Sequence, residues 1–102
     1  MAHYVVLATF TDQGIRAVKE TPKRAKAFRE IAKGMGVTVR DIFWTLGRYD
    51  VVVTMEAPQD EMVASLMFKV ASLGNLTSQT LRAFNEAEIE GVVAKLGKSE
   101  AT

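Results

Sequence analysis

Apolar residues crowd the first ten positions without strict alternation. His3-Tyr4-Val5-Val6-Leu7-Ala8-Thr9-Phe10 is rich in β-branched and aromatic types and reads as a first strand. Thr11-Asp12-Gln13-Gly14 breaks it, and Thr11 or Asp12 can accept hydrogen bonds from the free amides of a following helix. Residues 15–20 carry a helical turn or two. Thr21-Pro22 restarts the helix, with Thr21 placed as N-cap and Pro22 at the first helical position. The apolar spacing then becomes helical: Ala25, Phe28, Ile31, Ala32 and Met35 share a face until Gly34 and Gly36 end it.

Residues 37–46 and 51–56 read as the second and third strands, joined by the step Gly47-Arg48-Tyr49-Asp50. Ala57-Pro58 ends the third strand, and Asp60 lies close to the start of a helix marked by Met62, Val63, Leu66, Met67, Val70 and Leu73. Gly74-Asn75 closes that helix. Residues 77–84 form a fourth, more polar strand. Asn85 caps a last helix with apolar positions Ile89, Val92, Val93 and Leu96. The expectation is one domain over residues 1–97 and a frayed tail over 98–102. Its order, β-α-β-β-α-β plus a helix, is the α+β, ferredoxin-like split βαβ arrangement: a four-stranded antiparallel sheet with both crossover helices on one face.

With helices on one face, the strands should alternate apolar and polar. Tyr4 to Ala8, Val51 to Val53 and Ile42 to Trp44 are instead apolar on both faces. An exposed sheet face of that composition is a patch that monomers seldom carry. The last helix is too short to cover it. A second copy of the sheet is the better cover, so the sequence predicts a two-fold homodimer, or a higher homo-oligomer, packed through the sheet face.

Composition narrows the function classes. The 102 residues suffice for one domain. The absence of cysteine removes disulfides, thiolate metal sites and cysteine nucleophiles, and fits a reducing cytoplasm. Thirteen Lys plus Arg against twelve Asp plus Glu leave a net charge of +1, below the footprint of a nucleic-acid binder. Lys19, Lys23, Arg24, Lys26, Arg29 and Lys33 cluster locally, interrupted by Glu20 and Glu30, which reads as a solvated helix face rather than an anion surface. The N-terminus shows no basic leader or membrane-length apolar run, so a cytoplasmic protein without membrane contact is expected.

No motif for phosphate, zinc or dinucleotide binding is present, and no cofactor is expected. His3, the one histidine, is either a surface residue at a strand start or a base at the rim of a cleft. Tyr49 and Asp50 are either turn residues or a donor and acceptor projecting into a cavity. Trp44 shares a face with Ile42 and Leu46, as core or as the aromatic wall of a pocket. Arg82, inside the fourth strand, needs a carboxylate or a ligand anion; pairing with Asp50, Asp41 or Glu56 is expected. Thr77 to Thr80 suit an edge strand or one wall of a polar pocket. Gly14 offers a weak signal for amides aimed at an anion.

These residues together resemble the GYD domain family. The likeness runs from Tyr4-Val5-Val6-Leu7 through Thr11-Asp12-Gln13-Gly14, Thr21-Pro22-Lys23-Arg24-Ala25 and Trp44 to Asp50, to Thr80-Leu81-Arg82-Ala83-Phe84. Gly47, Tyr49 and Asp50 carry the naming motif. The resemblance implies a dimeric α+β barrel and brings no established catalytic residues; fold alone does not select a chemistry. The expected function is binding of a small organic molecule in a cleft between sheet and helices. Tyr49, Asp50, Trp44, His3, Thr45 and Arg82 are the candidate lining. Any chemistry would be cofactor-independent, with Asp50 or His3 as base and Tyr49 as donor. The alternative is a non-catalytic ligand sensor or assembly module.

Overall fold

The computed structural model describes residues 1–97, and the expected tail lies outside them. Strands β1 (Ala2–Phe10), β2 (Thr38–Trp44), β3 (Val51–Ala57) and β4 (Leu76–Ala83) form one antiparallel sheet in the order β2-β3-β1-β4. A short helix α1 (Asp12–Arg16) and a 3₁₀ turn (Val18–Glu20) lead into α2 (Thr21–Gly34). Helix α3 (Asp60–Ser72) joins β3 to β4, and α4 (Glu86–Ala94) follows the sheet. The chain is therefore an α+β, ferredoxin-like βαββαβ fold with a C-terminal helix.

The core lies on one face of the sheet. Along β1, Tyr4, Val6 and Ala8 are buried; along β3, Val51, Val53, Met55 and Ala57 are. This period of two presses one side of each strand against Ala32 of α2 and Val63 and Leu66 of α3. Leu66 is fully enclosed, so cutting it to Ala would cost about 3 kcal/mol.

Three local expectations change. Helix α2 starts at Thr21 itself, already helical at φ −59° and ψ −38°, because the 3₁₀ turn runs straight into it. Strand β2 ends at Trp44 rather than at residue 46, where its pairing with Val51 stops. The third concerns Gly14. Its amide donates to the Thr11 hydroxyl at 3.0 Å and is not open to an anion. Gly14 is buried because α1 is clamped to the turn after α3. There the Thr11 amide donates to the Asn75 carbonyl at 3.1 Å and the Thr11 hydroxyl to the Gly74 carbonyl at 2.6 Å. A Cβ at Gly14 would lie 2.0 Å from the Asn75 carbonyl oxygen, so the position admits no side chain.

Helix α4 opens with a capping box: the Glu88 amide donates to the Asn85 side-chain oxygen at 2.8 Å, and the Asn85 amide donates to Glu88 Oε1 at 3.0 Å. It buries none of its residues, and Ile89, Val92 and Val93 stay exposed. Among the described residues no helix is long and apolar enough to cross a membrane.

Candidate functional site

The loop between β2 and β3, residues 45–50, is held by its own hydrogen bonds. Gly47 takes φ +101°, which a side chain would resist. The Thr45 amide donates to the Asp50 carbonyl at 2.9 Å and the Thr45 hydroxyl to the Tyr49 carbonyl at 2.6 Å. Asp50 then ties the loop to β1. Its amide donates to the Ala8 carbonyl at 2.8 Å, and its carboxylate accepts the Phe10 amide at 2.9 Å. Thr45 and Asp50 thus occupy backbone positions in the joint. Tyr49 lies over the sheet face opposite the helices, with the Arg48 guanidinium 5.8 Å from its ring. It borders a shallow hollow with Leu7, Thr9, Thr77 and Gln79, and Thr77 and Gln79 belong to the edge strand β4.

His3 and Arg82 gather at the opposite end of β1. Arg82 lies between two rings, 4.5 Å from the centre of Phe84 and 5.7 Å from that of Tyr4. Its carboxylate partner is Glu88 on α4, at 3.8 Å, and not Asp50, Asp41 or Glu56. Asp41 accepts the Thr54 hydroxyl at 2.9 Å, and Glu56 accepts Arg40, which holds the Glu56 carboxyl below its ordinary range. His3 Nε2 lies 3.5 Å from Glu88 and 3.3 Å from the Asn85 side-chain nitrogen. Beneath them the Tyr4 hydroxyl donates to Asp60. Burial first, then the Asp60 hydrogen bond, pushes the Tyr4 phenol up to about 12.

The two ends do not meet. His3 and Ala8, the residue whose carbonyl Asp50 binds, are five steps apart on one strand, about 17 Å. His3 and Asp50 therefore cannot exchange a proton in one site, nor can His3 and Tyr49. Among the described residues no three His, Asp or Glu side chains gather to hold a metal ion.

A cleft opens elsewhere, between the buried face of the sheet and helices α2 and α3. It encloses about 160 Å³ and is lined by Phe28 and Ile31 of α2, Ile42 of β2, and Met67 and Val70 of α3. Trp44 stands at its wall, 46% exposed, and its indole Nε1–H donates to the Thr21 hydroxyl at 3.0 Å. Of the six expected lining residues, only Trp44 belongs to this cleft. Arg24 also lines it, against the expectation of a wholly solvated basic face. The missed signal is positional: Thr21, Arg24, Phe28 and Ile31 follow each other at three, four and three residues, so the cation shares the apolar stripe of α2.

The opposite face of the sheet is graded along the strands. Strand register sets Phe43, Val52, Leu7 and Gln79 in one row, Asp41, Thr54, Val5 and Leu81 in the next, and Glu56, His3 and Ala83 in a third. Phe43 is 56% exposed and Leu81 is exposed, whereas Val5, Leu7 and Val52 are half-buried. The expected apolar face is therefore continuous across β2, β3 and β1 only in the Phe43 row and is broken in the next by Asp41 and Thr54. Thr54 and Glu56 restore alternation along β3, and Arg40 pairs with Glu56.

The sequence matches the family model described as the GYD domain over residues 4–93. A relative from Thermus thermophilus is named glutamine synthetase and cystathionine beta-lyase binding protein. It is 34% identical over 90 residues, which span 87% of this chain and 95% of the relative.

Proposed function

The chain belongs to the GYD domain family, and from that premise we propose that it is a non-catalytic module that assembles with itself and docks on other proteins. The observation that carries this reading is the apolar surface left over after folding. Phe43, Leu81, Val92 and Val93 are exposed, on a sheet face and a helix that the fold itself does not cover. The relative named for binding two enzymes supports it, and glutamine synthetase and cystathionine beta-lyase are the first partners to try.

Self-association uses the sheet face. Two copies pack with their Phe43–Val52–Leu7 rows in contact, which removes this apolar row of each from water. Helix α4, capped but unburied, is then left to meet the enzyme partner. Acid–base chemistry has less behind it, because Asp50 serves the Phe10 amide and His3 lies at the far end of the strand.

The test uses purified protein with glutamine synthetase and cystathionine beta-lyase from the same organism. Light scattering after gel filtration reads the mass of the chain alone; calorimetry reads docking. A dimer and saturable binding to either enzyme are expected. A monomer at about 100 μM that binds neither enzyme overturns the reading.

A further inference from the structure

We propose that the cleft between the sheet and helices α2 and α3 is a binding site for a small monocarboxylic acid whose body is a single aromatic ring or a short branched acyl chain. The proposal is independent of self-association through the Phe43 row, since the cleft lies on the opposite face of the sheet. Three features of the cleft point to this ligand.

The first is size. A dry cavity of about 150 Å³ lined by aliphatic and aromatic side chains accepts one benzene ring. The cleft encloses about 160 Å³ between Phe28, Ile31, Ile42, Met67 and Val70. The cleft is open at its mouth, so this volume sets the part of a ligand that is buried: one ring or a short branched chain.

The second is the cation on the lip. Arg24 lines the cleft and, among the described residues, makes no ion pair and no side-chain hydrogen bond. A planar guanidinium beside an apolar hole matches a carboxylate joined to an apolar body, and it grips the two oxygens as a fork. The third is the hydroxyl next to it. Thr21 lines the cleft and already accepts the Trp44 indole N–H, so its own O–H proton is left to donate. Donor and cation stand three residues apart on α2, one turn of helix, over the same opening.

The chain holds one tryptophan, Trp44, at the wall of the cleft, so its emission reports occupancy. The probes are phenylacetate, its neutral isostere phenylacetamide and 4-methylpentanoate. Phenylacetate and 4-methylpentanoate are expected to change Trp44 emission saturably, with midpoints of about 1 mM for ligands of this size. Phenylacetate is expected to shift the methyl resonances of Ile31, Ile42 and Val70 in the unaltered protein. Phenylacetamide, and phenylacetate with the Arg24→Gln variant, should each bind about tenfold more weakly. Arg24 is exposed, so this variant keeps the fold. Absence of methyl shifts at about 10 mM phenylacetate overturns the site. Equal affinity for phenylacetate and phenylacetamide, or no loss with Arg24→Gln, overturns the assigned ligand class.

Discussion

The Asp50 carboxylate accepts the Phe10 amide at 2.9 Å, and so locks the β2–β3 loop to the end of β1. The same residue donates its own amide to Ala8, so two backbone groups of one strand depend on it. A motif that reads as chemistry is here a joint.

Asp50→Ala should therefore destabilise the fold. Losing an ionic acceptor for a part-buried amide costs about 2 kcal/mol. Asp50→Asn keeps an acceptor oxygen and should recover part of the loss. Chemical denaturation of the three proteins decides it: equal stability for all would show that the bond carries no weight.

Gly14→Ala should be worse. The new Cβ would press on the Asn75 carbonyl oxygen, a backbone atom that cannot move aside alone. Overpacking of this kind costs about 3 kcal/mol. Gly34→Ala is the control, since nothing lies within 4 Å of its added Cβ, and it should gain up to about 1 kcal/mol from helix propensity. Melting temperatures moving in opposite directions are the expected result.

Tyr4 sets an alkaline limit. Its phenol titrates near 10 in the unfolded chain and is pushed up to about 12 in the folded one. Above pH 10 the unfolded state releases a proton that the folded state retains, so stability is full below pH 10 and falls up to pH 12. The loss over that window is about 3 kcal/mol. Tyr4→Phe should be less stable at neutral pH, by the lost Asp60 bond, and should show a flatter decline between pH 10 and 12 than the parent. A parallel decline in both proteins would remove Tyr4 as the cause.

Phe43→Asp should shift the proposed dimer to monomers without lowering monomer stability, because Phe43 is more than half exposed and lies in the apolar row. A charge buried within a sheet-on-sheet contact has no partner there. Sedimentation velocity over a concentration series would detect the change; an unchanged mass would exclude this face as the contact.

Periodicity made the elements legible. Strands β1 and β3 carry their types in β-branched runs, and α3 in its apolar spacing, so the order of elements and the family both follow from residue patterns. Legibility stopped where distant parts of the chain must meet. Arg82 pairs with Glu88, which local pattern marks only as the capping-box partner of Asn85 and not as a partner of β4. Tyr49 and Asp50 are neighbours in sequence, yet one lies over a sheet face and the other is consumed by Phe10. A cleft between sheet and helices was expected, but its lining was the least visible of all, because a gap is made by residues that fail to touch. Phe28, Ile31, Met67 and Val70 look like ordinary core positions in the chain, and only the spacing of α2 from α3 leaves room between them.

Helix α4 makes its own caps and buries none of its residues, so the free energy of folding scarcely depends on which apolar residues it shows. Val92 and Val93 are thereby released from the demands of the core, and they can change with the partner while melting temperature stays still. A screen for thermal stability would pass over every one of their variants. A docking surface on this helix, as proposed, would be found only by weighing complexes.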